Sequence, residues 1–105
     1  MRGSIRPREE MPLSVAREIV VRHKVGLHAR PAALFVKAAS GFASRIRVEN
    51  LTKGTAPTNA KSILSVLSVA VQMDDWVRIT ADGNDAEAAV SALCDLINSD
   101  FGEME

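Results

Sequence analysis

The chain has 105 residues, 47% of them hydrophobic and 25% charged, which fits one small globular domain and excludes a wholly disordered polymer. Thirteen Lys and Arg cancel thirteen Asp and Glu, and only 4% of residues are aromatic, so the basic excess and stacking platforms of a nucleic-acid binder are both missing. No run approaches the ~20 consecutive apolar residues of a membrane span, and the single cysteine, Cys94, has no internal disulfide partner, which points to a cytoplasmic protein without direct membrane insertion.

Residues 1–12 combine Gly3, Pro7 and Pro12 with mixed charges and no periodicity, so they read as a flexible tail ahead of a domain over 13–105. Met1 to Pro7 is positive but has no apolar core behind it, unlike a secretory signal. The tail carries a net +1, which leaves −1 for the rest.

Val15 to Arg22 is rich in β-branched residues, with Val15, Ile19 and Val21 on one face, and predicts a strand. Lys24 to Leu27 forms a turn. A helix is predicted from Ala29, because Pro31 is tolerated in a first turn and Phe35, Ala38, Ala39 and Phe42 recur at helical spacing. Ser40-Gly41 closes it. Ile46 and Val48 alternate with Arg45, Arg47 and Glu49 as a second strand. Asn50 to Thr58, with Gly54 and Pro57, predicts a turn and a short edge strand.

Asn59 to Val71 predicts a second helix, with Ile63, Val66, Leu67, Ala70 and Val71 on its apolar stripe. Met73, Asp74 and Asp75 make a polar turn. Val77, Ile79 and Ala81 then mark a further strand. Asn84 and Glu87 have capping-box spacing before a last helix striped by Ala86, Ala89, Val90, Leu93 and Ile97. Asp100 to Glu105 is expected to fray. The order is β-α-β-β-α-β-α. Helices this amphipathic need a sheet to cover, so the fold class is α+β: two layers, with helices on one face of a mainly antiparallel sheet.

The chemistry is concentrated in Gly26-Leu27-His28-Ala29-Arg30-Pro31-Ala32. Gly26 permits a tight turn. His28 occupies the last loop position before the helix, where the positive end of the dipole disfavours its protonated form and keeps a lone pair available. The N–H groups of Ala29 and Arg30 are orphan donors of the first turn. A phosphoryl group on the imidazole would lie where those donors and the dipole favour anions, and Arg30 can fork two hydrogen bonds onto phosphate oxygens. His28 as a simple helix cap is the competing reading of the spacing alone, and it corresponds to a small interaction or ligand-binding domain.

This segment, continued by Ala33 and Phe35-Val36-Lys37, resembles the active-site signature of HPr, the histidine-containing phosphocarrier family of the bacterial phosphoenolpyruvate-dependent sugar phosphotransferase system. Asn59-Ala60-Lys61-Ser62-Ile63-Leu64 with Val66-Leu67-Ser68 resembles the family's regulatory serine segment. The similarity runs from about Val15 to Ile97. It implies an open-faced sandwich of four antiparallel strands and three helices. It further implies that His28 takes phosphoryl through Nδ1 from phosphorylated Enzyme I and passes it to a sugar-specific IIA domain, while Arg30 balances the charge. Such a protein is a carrier and not an autonomous enzyme. It needs no cofactor or metal, and it is expected to be a monomer.

The resemblance also implies that Ser62 is a regulatory phosphorylation position for a serine kinase/phosphorylase, and that Leu64 and Leu67, with Ile63 beside them, belong to a partner-docking patch. By helical spacing Leu67 shares the core stripe with Ile63, whereas Leu64 sits off it and is the better exposed anchor. Lys37 matches a basic position that would steer acidic partners. His23 is expected to be a polar strand-end residue and Cys94 to pack near the core without a reactive role. The stretch between Ile46 and Ser62 is about three residues longer than in common members, so the third strand is expected to be distorted. A regulatory or nitrogen-branch paralogue, or a module of a dihydroxyacetone-kinase relay, would share the His28 chemistry and differ in partners.

Overall fold

The computed structural model describes residues 13–24, 26–27, 29–99 and 101. The tail expected over 1–12 lies outside the described residues. Seven elements follow in order: β1 (Ser14–Val20), α1 (Ala29–Ser40), β2 (Arg45–Asn50), β3 (Thr58–Asn59), α2 (Ile63–Ser68), β4 (Trp76–Asp82) and α3 (Ala86–Asn98). The sheet order is β1-β4-β2-β3 and every pairing is antiparallel. This is the expected open-faced sandwich.

Period-two alternation decides which side of the sheet is covered. Ile46, Val48, Val77, Ile79 and Ala81 are buried on one face, against Phe35 and Ala39 of α1, Val66 of α2, and Ala89, Val90, Leu93 and Ile97 of α3. The opposite face carries charge. Arg78 lies between Glu18 and Glu49, at 2.9 and 3.2 Å, and Arg47 meets Asp82 at 2.7 Å. No helix among the described residues is long and apolar enough to cross a membrane. Cys94 is buried in the core, and burial pushes its thiol pKa up.

Several expectations need correction. The second helix is six residues long and does not extend over Asn59–Val71. Asn59 instead pairs with Arg47 in β3, the Ala60 N–H donates to the Ile46 carbonyl at 2.9 Å, and a turn closed by the Ser62 N–H on the Asn59 carbonyl at 3.3 Å leads to the Ser62 cap of α2. At the other end Ala70 adopts φ 50°, a left-handed conformation that stops the helix. With so short a helix, Val66 alone is buried, and Ile63 and Leu67 are surface residues and not core.

The last helix is capped by Asp85, not Asn84, and the Asp85 carboxylate turns away from its own helix. It accepts from the Ala43 N–H at 2.8 Å, from the Ser44 N–H at 2.9 Å and from the Ser44 hydroxyl. Within the segment expected to fray, Phe101 is 3% exposed and packs edge-on against His23, with ring centroids 5.5 Å apart. His23 is itself buried, so the strand-end histidine belongs to the packed interior.

Candidate functional site

α1 begins at Ala29, directly after His28 in the chain, and runs for twelve residues. His28 itself lies outside the described residues, as does Val25. Arg30 is exposed in the first turn, and Pro31 and Ala32 behind it are buried. Lys37 is exposed in the last turn. A spacing of seven residues sets Arg30 and Lys37 on one helix face about 10 Å apart along the axis.

The turn that leads into His28 is anchored firmly. Gly26 has φ 61°, and a Cβ there would stand 2.1 Å from the Val71 carbonyl oxygen and 2.8 Å from the Gln72 Cα. A side chain is excluded twice, by the left-handed backbone and by contact with another strand of chain. The next residue, Leu27, is fully buried, and its N–H donates to the Val71 carbonyl at 3.1 Å. The Gly26 N–H donates to the His23 carbonyl at 3.0 Å. The segment before His28 therefore rests on the segment after α2, which brings the surroundings of the two sequence motifs together.

α2 supplies an exposed apolar face. Leu64 is 77% exposed, Ile63 39% and Leu67 37%. The three apolar docking candidates thus reach solvent on a helix that packs against α1. Ser62 is half-buried, and its hydroxyl accepts from the Ser65 N–H at 3.3 Å as the cap of α2. Lys61 beside it donates to the Phe42 carbonyl at 2.7 Å, which ties this corner to the end of α1.

A polar cluster beneath the site was not foreseen. Asp75, at 7% exposure, is buried, and its Oδ2 accepts from Lys53 Nζ at 2.6 Å, Asn50 Nδ2 at 2.9 Å and the Gln72 N–H at 3.0 Å. Asn50, wholly buried, also donates to the Val69 carbonyl and accepts from the Lys53 N–H. Lys53 reaches Gln72 Oε1 at 3.1 Å as well. Burial opposes ionisation of Asp75, but the Lys53, Gln72 and Asn50 donors outweigh it and hold the carboxyl below its ordinary 3.8. In the sequence, Asp74 and Asp75 read as a plain polar turn. Lys53 stands 22 residues away in the loop after β2, and no spacing rule connects the two.

Comparison with known proteins agrees with this geometry. A family model described as the "PTS HPr component phosphorylation site" matches residues 15–99. The phosphocarrier protein HPr of Mycoplasma capricolum is 43% identical over 75 residues, covering 70% of this chain and 80% of that protein. A multiphosphoryl transfer protein of Vibrio cholerae is 43% identical over 83 residues, covering 79% of this chain but 21% of its own length. The chain thus spans about a fifth of the multiphosphoryl proteins that it matches. Among solved structures, HPr-C-His from Thermoanaerobacter tengcongensis superposes with a TM-score of 0.80 at 47% identity, over 87% of this chain and 99% of that one.

Proposed function

The chain belongs to the HPr phosphocarrier family, and from that premise we propose that it accepts a phosphoryl group on His28 from phosphorylated Enzyme I and hands it to a sugar-specific IIA domain. The observation that carries the proposal is the start of α1 at Ala29, with Arg30 exposed in its first turn immediately after the histidine of the family motif.

In the step itself, the Nδ1 lone pair of neutral His28 attacks phosphorus as the P–N bond of the donor phosphohistidine breaks. The bonding pair returns to the donor imidazole, and the proton on His28 Nε2 stays in place. The product gains about two negative charges. The Ala29 and Arg30 N–H groups at the dipole's positive end favour that charge by about 0.3–1 kcal/mol. A forked Arg30 pairing adds about 1.5–3 kcal/mol. These contributions are modest, as a carrier requires, since too stable an adduct would not pass on.

Ile63, Leu64 and Leu67 form the proposed docking face and Lys37 the steering charge, with action in the cytoplasm. A modest apolar patch on a monomer suits brief encounters with successive partners. Ser62 is the proposed regulatory position. Its hydroxyl already accepts from the helix backbone, so a phosphate there would retain the cap while adding negative charge beside Leu64.

Incubation with phosphoenolpyruvate and Enzyme I is expected to place acid-labile, base-stable phosphate on the chain, and His28→Ala to abolish it. Full labelling of His28→Ala, or none of the wild type, would overturn the assignment. The match to one part of the longer multiphosphoryl proteins favours, as a second reading, a module or paralogue with other acceptors. Transfer from the labelled chain across a panel of IIA-type domains separates the two.

A further inference from the structure

Gln72 N–H and Val71 C=O are the two ends of one peptide group. Asp75 Oδ2 holds the N–H end at 3.0 Å, and the carbonyl end accepts from the Leu27 N–H at 3.1 Å. A buried carboxylate is therefore connected through a single peptide plane to the residue that precedes His28. Hydrogen bonds in such a chain polarise one another and fix the plane between them. Gly26 packs its Cα side against the same peptide, so a rotation of the plane would displace the whole turn.

What keeps the carboxylate in register is Lys53. Its ammonium approaches Asp75 Oδ2 at 2.6 Å and Gln72 Oε1 at 3.1 Å, touching both the carboxylate and the residue whose N–H that carboxylate holds. Lys53 is delivered by the loop after β2. That loop is itself pinned by the Leu51 N–H donating to the Trp76 carbonyl at 2.8 Å, and by the Trp76 N–H donating to Thr52 Oγ1 at 2.8 Å. The loop is thus an ordered brace rather than slack chain.

We propose that Asp75, braced by Lys53, is a positioning group for phosphoryl acceptance: the pair sets the peptide on which Gly26 and Leu27, the two residues before His28, rest. The inference rests on the carrier reading above. Neither side chain needs to touch the phosphoryl group. Small errors in the aim of a nucleophile cost rate far more than they cost stability, because a near-attack geometry tolerates little displacement.

The test uses the full chain and its Lys53→Met and Lys53→Arg variants, with phosphorylated Enzyme I as donor. Lys53→Met is expected to lower kcat about tenfold with KM unchanged, since the α2 docking face is not altered, and to speed exchange of the Leu27 amide relative to that of Val77. Lys53→Arg, which keeps a cation able to reach the carboxylate, is expected to restore most of both. A wild-type chain that takes up no phosphoryl group would overturn the carrier reading and this inference with it. A phosphorylated wild type whose Lys53→Met variant retains kcat, or loses rate only in proportion to its unfolded fraction, would overturn the positioning role alone.

Discussion

Asp75 and Asp85 stand at opposite ends of β4, one just before it and one just after, and each carboxylate gathers three donors. Their partners differ in kind. Asp85 takes all three from the single dipeptide Ala43-Ser44, with no cation, and so fastens the link between α1 and β2 to the start of α3. Asp75 draws on Asn50 at the end of β2, Lys53 in the loop after it and the Gln72 N–H, and the last belongs to the peptide that supports the turn before His28. The same chemistry makes a clamp at one end of the strand and a brace for a working loop at the other. If so, damage at the Asp85 end should cost stability alone, whereas damage at the Asp75 end should cost stability and transfer.

The sharpest break of this comparison uses the two glycines that accompany the carboxylates. Gly26→Ala puts a Cβ 2.1 Å from the Val71 oxygen, and Gly83→Ala puts one 2.5 Å from Ser44 Oγ. Both lower Tm. Only Gly26→Ala is expected to reduce the phosphorylation rate of the folded fraction, by about 100-fold, read by quenched labelling with Enzyme I.

Next come the carboxylates themselves. Asp75→Ala leaves the buried Asn50 amide and the Gln72 N–H short of an acceptor, a loss of about 1–3 kcal/mol in urea unfolding. Asp85→Ala lowers Tm as well, yet should leave the rate per folded molecule unchanged. A slowed Asp85→Ala carrier would remove the distinction.

Acid titration gives a smaller effect of defined sign. Both carboxyls are held below 3.8, Asp85 chiefly by the Ser44 hydroxyl and then the Ala43 N–H. A group depressed in the folded state contributes stability that is complete well above its unfolded value and is lost as pH falls below it. Tm is therefore expected to decline progressively below about pH 3.8, and Asp75→Asn or Asp85→Asn should each flatten part of that limb. Smallest is the Lys53→Met effect on stability, about 0.5–1 kcal/mol and reduced by salt, because the ammonium is partly exposed. A small stability change beside a clear kcat change is the pattern that favours positioning.

The strands and their covered face were legible because Ile46, Val48, Val77, Ile79 and Ala81 alternate with polar neighbours, and the last helix because its stripe is buried as spaced. The middle helix was overread: Ile63 and Leu67 have helical spacing, but periodicity cannot distinguish an apolar face that meets the core from one that meets solvent. Asn59 pairs with β2, and its Oδ1 accepts from the Lys61 N–H at 2.9 Å, so a turn stands where the spacing predicts the first turn of a helix. Phe101 and His23 were misread for a related cause, since their burial depends on a contact between distant stretches that neither local sequence signals. The His28 motif was visible through its glycine, arginine and proline. Its support was not, because the Lys53–Asp75 pairing and the Val71 carbonyl depend on tertiary geometry.

The brevity of α2 has a consequence for how its surface behaves over time. Six residues are well under the ~12–15 that give an isolated helix even marginal stability, so this one persists only through Val66 beneath it and the Ser62 cap. Its amides should exchange through local opening while those of β4, paired on both sides, stay protected until the whole domain unfolds. The part of the molecule that presents Leu64 is therefore the part that can be reshaped most cheaply. On the proposed docking role, a partner reshapes this contour without disturbing the sheet below.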